Sequence, residues 1–232
     1  MSSVRRRRVD DDLRRSMAEL LTHDQRVRGL AVQAEVDGGV VHLRGDVETP
    51  GQLATVRRLA GRFAGVHGVW DRVRVGGRAP LALDLGCGEQ PQYPENIGVD
   101  RRATKAVAVR ADLARGALPF ASDTVDRIYA VHLLEHLIDY LPLLAECHRV
   151  LRTDGILHVM CPWWRHVNAA ADPTHLRMVD VQTVKGICAY APPDRPWRVL
   201  HAACDGASVL ADLAPAAPGE QPDPTHLARF FD

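Results

Sequence analysis

Residues 81–88 read Leu-Ala-Leu-Asp-Leu-Gly-Cys-Gly. An apolar strand runs into a carboxylate, Asp84, and then into Gly86-Cys87-Gly88. Two glycines one residue apart let a backbone turn sharply and approach a ligand closely. Outward from this stretch the pattern repeats. Ile97-Gly98-Val99-Asp100 is a second short strand that ends in a carboxylate. Val107 to Asp112 reads as a third strand and Thr124 to Val131 as a fourth. Leu141 to Leu151 carries Leu144, Cys147, Val150 and Leu151 at helical spacing, and Gly155 to Cys161 is a fifth strand. Trp197 to His201 and Ser208 to Leu213 are candidates for two final antiparallel strands. Strands interleaved with helices predict an α/β fold with a parallel sheet, whose ligand binds past the carboxyl ends of the strands.

The acidic tips narrow the ligand. A carboxylate ending the second strand, Asp100, suits the two hydroxyls of a ribose. Asp112, in Arg-Ala-Asp-Leu, is placed to meet the exocyclic amine of a base. A dinucleotide is the natural rival, and two facts count against it. The third glycine of G-x-G-x-x-G is missing, since the run is Gly86-Cys87-Gly88-Glu89-Gln90-Pro91. A pyrophosphate also wants a helix N-terminus, where free N–H groups and the dipole meet the anion. Residues 89–96, Glu-Gln-Pro-Gln-Tyr-Pro-Glu-Asn, place two prolines and two acids where that helix would start. The expected ligand carries adenosine without a diphosphate, a description that S-adenosylmethionine meets.

On these residues, 81–187 resemble a class I S-adenosylmethionine-dependent methyltransferase. LDLGCG matches the first motif, IGVD the second, RADL the third and DTVDRIYAVHLLEHL the fourth; LLAECHRVLRTDGILHVMCP matches the helix and strand that follow. The resemblance implies a Rossmann-like methyltransferase sheet and S-adenosyl-L-methionine as cofactor. It implies that Asp84, Gly86, Cys87 and Gly88 shape the methionine end, that Asp100 with Arg101 holds the ribose, and that Asp112 and Leu113 address the adenine. Ala130, Val131 and His132 would lie beside the transferable methyl, and His175 would line the acceptor pocket. The helix that normally follows the first motif is expected to be absent, because Gly88 to Ile97 is shorter than a usual crossover of about a dozen residues.

His132 and His136 are four apart and would share one face of a helix. His132 is the candidate general base, because imidazole titrates near neutrality; Glu135 is read as structural. Asp172-Pro173-Thr174-His175-Leu176 recurs as Asp223-Pro224-Thr225-His226-Leu227. Asp before Pro reads as a helix start in both copies. His166, Asp172 and His175 form a mixed nitrogen and oxygen set, but their spacing matches no standard ligand motif, and no metal is expected. Trp163, Trp164 and Arg165 follow the fifth strand and are expected to pack.

Gly76-Gly77-Arg78-Ala79-Pro80 is the predicted linker, since Gly-Gly and Ala-Pro both break regular structure. Before it, residues 10–23 carry Leu13, Met17, Leu20 and Leu21 at helical spacing. Leu30, Val32, Ala34 and Val36 alternate, Asp37-Gly38-Gly39 turns, and Val41, Leu43 and Val47 return: a hairpin. Pro50 opens a second helix striped by Leu53, Val56, Leu59, Ala60 and Phe63, and Val66 to Val75 is a third strand. This α-β-β-α-β order, with VDGGVVHLRGDV and AGVHGVWDRVRV, resembles the BON domain over residues 9–76. The resemblance implies a small α+β ligand-binding or docking module. The expected organisation is a BON-like domain at 9–76, a linker at 77–80 and a methyltransferase-like domain at 81–232.

Composition is that of an ordinary soluble globular protein. The 232 residues include 29 basic and 29 acidic side chains, so no overall positive charge is available to hold nucleic acid. The run Arg5 to Arg8 is followed at once by Asp10, Asp11 and Asp12, and reads as a solvated, locally neutralised arm. Five scattered cysteines without CxxC spacing suit a reducing compartment, and the expected location is the cytoplasm. No apolar run approaches the ~20 residues of a membrane span. The expected function is methyl transfer to a small-molecule acceptor. The alternative is a non-catalytic nucleoside sensor or scaffold whose BON-like half binds a ligand.

Overall fold

The computed structural model describes residues 3–220, with side chains from Arg7 onward. The chain divides into two compact units, residues 1–80 and 81–232.

The first unit runs α1 (Ser3–His23), β1 (Ala31–Asp37), β2 (Val40–Val47), α2 (Pro50–Ala60) and β3 (Gly68–Val75). Its three strands lie in the order β1-β2-β3, with β1 antiparallel to β2 and β2 parallel to β3. The β1–β2 turn is Gly38-Gly39, both at positive φ (57° and 80°), the backbone that a two-residue hairpin requires. Alternation works as read: Val32 and Val36 of β1 and Val41 and Leu43 of β2 are buried with Leu53, Val56 and Leu59 of α2. Thr49 caps α2. Its hydroxyl accepts from the Gln52 N–H while the Gln52 side chain accepts from the Thr49 N–H, a reciprocal box ahead of Pro50. The arginine run is not a loose arm: α1 starts at Ser3, and Arg7 and Arg8 are exposed on it. Asp10 has a different task in the described residues. It is 5% exposed, and its two oxygens accept the N–H groups of Gly38 and Gly39 at 3.0 and 2.9 Å, which ties α1 to the hairpin turn. The glycines at 76 and 77 also close a turn: Val75 and Arg78 exchange backbone hydrogen bonds at 3.0 Å.

The second unit runs β4 (Ala82–Leu85), β5 (Ile97–Asp100), β6 (Val107–Arg110), β7 (Val125–Val131), α3 (Leu141–Val150), β8 (Leu151–Pro162), α4 (Val167–Ala171), α5 (Val181–Ala189), β9 (Trp197–Cys204) and β10 (Ser208–Pro215). Its seven strands are ordered β6-β5-β4-β7-β8-β10-β9. The strands from β6 to β8 are parallel, and β10 is antiparallel to both neighbours. This is the Rossmann-like methyltransferase sheet. The chain leaves β4 on one side for β5 and returns on the other at β7, so the carboxyl end of β4 is a topological switch point, where such sheets bind ligands. No helix forms between β4 and β5; residues 86–96 are turns and bends. Leu83, Leu85, Val99, Ile128 and Leu157 are fully buried in the sheet, and Leu143, Leu144, Cys147 and Val150 of α3 pack on them.

Several expectations change here. The third strand stops at Arg110, so Asp112 lies beyond it. The fifth starts at Leu151 rather than Gly155. The sequence gives no warning of α4 or α5. The first Asp-Pro-Thr-His copy does not start a helix. Asp172 follows the end of α4, and its Oδ1 accepts the Thr174 N–H at 2.8 Å and hydroxyl at 2.7 Å, a local turn that competes with helix. The second copy lies outside the described residues.

Candidate active site

The β4 tip turns through Gly86 (φ 69°) and Gly88 (φ 58°), both in the left-handed region where a side chain would be strained. A Cβ on Gly86 would stand 2.9 Å from Leu133 Cδ1, and one on Gly88 2.9 Å from Arg102 Nη2. The turn is held from beneath, since the Gly86 N–H donates to the Val99 carbonyl at 2.8 Å. Cys87 is buried beside Gly98 of β5.

The two acidic tips have opposite environments. Asp84 is 3% exposed, and one oxygen accepts both the Gln92 N–H at 2.5 Å and Asn96 Nδ2 at 3.2 Å. Burial pushes its carboxyl up to about 6, against the pull of those two donors. Asp100 accepts the Gly88 N–H at 3.1 Å on one oxygen and the Arg102 N–H at 2.9 Å on the other, with the Arg102 guanidinium at 3.5 Å. Burial pushes this carboxyl up too, but the two N–H groups and the guanidinium outweigh it and hold it below its ordinary value. Arg102 is the cation on Asp100, with its side chain 62% exposed; the neighbouring Arg101 side chain is exposed as well. Thr104 completes the turn, its hydroxyl donating to the Gly88 carbonyl at 2.6 Å.

The remaining sequence candidates scatter along the same edge. Asp112 is exposed; it caps a single 3-10 turn at Leu113–Arg115, and Leu113 is buried. Val131 ends β7, half-buried. His132 follows at φ 52°, a left-handed position that is uncommon for a side chain other than glycine. His132 and His136 do not share a helix: the first leaves a strand and the second ends a 3-10 turn, Leu134–His136. His132 Nδ1 lies 3.2 Å from Glu135 Oε1, and Glu135 is 1% exposed. His175, on the loop after α4, has Nδ1 3.1 Å from the Ala169 carbonyl. His166 stands apart: its Nδ1 accepts from the Asn168 N–H as an N-cap. Trp163 and Trp164 both donate their indole N–H to Asp180 Oδ2, at 2.9 and 3.0 Å, with Arg165 over both rings.

Sequence reasoning missed a row of polar side chains across the sheet. Asp84, Tyr129, His158 and Asp212 stand in register on β4, β7, β8 and β10. His158 stacks on Tyr129 with centroids 4.7 Å apart, and its Nδ1 lies 2.8 Å from Asp212 Oδ1. Tyr93, from the loop that replaces the missing helix, meets Tyr129 edge-on at 5.3 Å. Neighbouring members lie from 29 to 54 positions apart on different strands, so no local spacing signals them.

Comparison with known proteins gives two family matches. Residues 9–77 match the BON domain, and residues 92–159 match a methyltransferase domain. The second match takes in Asp100, Asp112, Val131 and His132 but starts after Gly88. No curated protein matches the chain. Among solved structures, a SAM dependent methyltransferase from Aquifex aeolicus is 18% identical, with TM-score 0.43 over 57% of this chain and 81% of that one. One from Archaeoglobus fulgidus is 17% identical, with TM-score 0.43 over 59% and 86%. One from Mesorhizobium loti is 14% identical, with TM-score 0.42 over 58% and 90%. Likeness at that level carries no functional argument. One family match falls in each compact unit: a BON domain match in the first and a methyltransferase domain match in the second.

Proposed function

We propose that this chain transfers a methyl group from S-adenosylmethionine to a small-molecule acceptor. The observation that carries the reading is the switch point at β4, where a glycine turn and an ionised Asp100 converge, next to a segment that matches a methyltransferase domain. The residues present fit the cofactor: Gly86 and Gly88 leave bare backbone where a Cβ would collide, and Asp100 keeps lone pairs beyond those its two N–H partners use. Gly86, Cys87 and Gly88 would border the methionine end, Asp100 the ribose, and Asp112 and Leu113 the adenine. The bound cofactor supplies an electrophilic methyl on a sulfonium.

The chain's own work is positioning. Asp84 spends its hydrogen-bonding oxygen on Gln92 and Asn96, so it acts as a positioning residue for the loop. Asp100 orients Gly88 from beneath. His132 is the candidate general base: with Nδ1 donating to the buried Glu135 carboxylate, the ring is oriented and Nε2 is left to accept an acceptor proton. His175 is assigned to the acceptor side. The BON domain is a binding module in this reading, not a second catalytic unit. No described helix is long and apolar enough to cross a membrane, and the free thiols favour a reducing compartment, which we take to be the cytoplasm.

Calorimetry with S-adenosylmethionine tests the reading. The wild type should bind, and Asp100→Ala should bind at least about tenfold more weakly, the loss of a charge-assisted hydrogen-bond pair. An acceptor panel read by S-adenosylhomocysteine release should show turnover. Absence of binding by the folded wild type overturns the reading; binding without turnover on any acceptor supports the sensor instead.

A further inference from the structure

Beyond the carboxyl ends of β7 and β8, one donor atom each from Glu135, His136 and His175 lies within 4.8 Å of the others. We propose that these three residues bind one divalent transition-metal ion.

The loop that carries His175 is docked by the chain itself. The N–H groups of Leu176 and Arg177 donate to the Glu135 carbonyl at 2.7 and 3.1 Å, and Arg177 Nε donates to the Ile138 carbonyl at 2.8 Å. Both rings are then fixed through Nδ1. His136 Nδ1 lies 3.2 Å from the Thr174 carbonyl and 3.0 Å from its hydroxyl, whose own proton goes to Asp172. His175 Nδ1 lies 3.1 Å from the Ala169 carbonyl. A carbonyl only accepts, so in each ring the proton sits on Nδ1 and Nε2 keeps its lone pair; His175 Nε2 also has Asp172 Oδ2 3.8 Å away. That is the arrangement by which second-shell groups orient a metal-binding imidazole. The rings sit edge to face with centroids 4.7 Å apart.

The second observation is the carboxylate. Glu135 is 1% exposed. Oε1 faces His132, while Oε2 is shielded from solvent and finds no conventional hydrogen-bond donor. Its buried neighbour Cys161 offers a thiol, a weak donor, and that thiol is pushed well above its ordinary range by burial and by the Glu135 charge. A buried carboxylate with an open oxygen is costly, and a cation is what offsets it. Two imidazoles and one carboxylate suit zinc or a neighbouring first-row ion, and three protein donors leave a coordination position for water or a further ligand. The trio differs from the one that sequence spacing suggested. His175 stays, His166 and Asp172 leave, and Glu135 and His136 enter.

The site shares Glu135 and His175 with the proposed methyl-transfer site, but the inference does not depend on methyl transfer and is read by metal binding alone. Untagged full-length protein is stripped with a chelator and titrated with zinc chloride by calorimetry, and then with cobalt chloride by visible absorption. One ion per chain and visible cobalt d–d bands are expected. His136→Gln and His175→Gln, checked for folding by circular dichroism, should each weaken binding at least about tenfold, while His166→Gln should bind as the wild type does. No zinc binding and no d–d bands in the wild type overturn the site, as does binding that neither His136→Gln nor His175→Gln weakens. If a variant fails to fold, the wild-type cobalt spectrum decides by its imidazole and carboxylate signature.

Discussion

The two ends of one sheet edge treat their carboxylates differently. At β4 and β5, Asp84 and Asp100 are supplied with donors by the loops that follow them. Beyond β7, Glu135 is buried to a similar depth but has one oxygen that no conventional donor reaches. The first pair sits in a motif legible at a glance; the second carboxylate reads as structural. A motif tells which residues reach a site. Only the fold tells which lone pairs remain open there.

The largest expected effect comes from breaking the register that brings Asp100 under Gly88. A Cβ on Gly98 would stand 2.2 Å from the Ala106 carbonyl oxygen and 2.7 Å from Cys87 Sγ. The backbone oxygen cannot swing aside, so Gly98→Ala should destabilise the protein by about 3 kcal/mol in denaturant titration, the high end for overpacking. An unchanged midpoint would mean that β5 and β6 are not held that closely.

Next comes Asp100→Ala, which strands the N–H groups of Gly88 and Arg102. A loss of about 2 kcal/mol is expected, together with the weakened cofactor binding above. A variant that loses binding but no stability would show that Asp100 serves ligand alone and not its own loop.

The smallest effect separates the two tips by pH. The folded-state carboxyl of Asp84, at about 6, lies above its unfolded value of 3.8. Between those values the folded state binds more protons than the unfolded one, so stability falls as pH rises through the window and stays reduced above it. Asp84→Asn should flatten that decline and stabilise the protein by about 1–2 kcal/mol at pH 7. Asp100 has the opposite sign: its stabilising contribution is present above the ordinary carboxylate range and is lost as pH falls below it. If thermal unfolding of Asp84→Asn retains the wild-type slope between pH 4 and 6, the burial of Asp84 is not what sets its charge.

Much was legible because it was local. The hairpin at Gly38-Gly39, the Pro50 start of α2, and the strands that end in Asp84 and Asp100 all follow from period-two alternation, capping and glycine chemistry within a few residues. The errors share one cause. Asp172-Pro173 looked like a helix start, but Thr174 supplied a competing turn. Four-residue spacing put His132 and His136 on one helix face, but the chain leaves β7 through a left-handed residue and never forms that helix.

By itself the sequence determined the order of the strands, the break between the two units and the glycines and carboxylates that arrive at the sheet edge, because propensity and hydrophobic period act over short distances. Tertiary structure alone decided that the Arg102 guanidinium faces Asp100, that Tyr129, His158 and Asp212 align across separate strands, and that His175 reaches Glu135 and His136. Those facts depend on strand register and on loops docking over long sequence separations, which no local pattern of residues encodes.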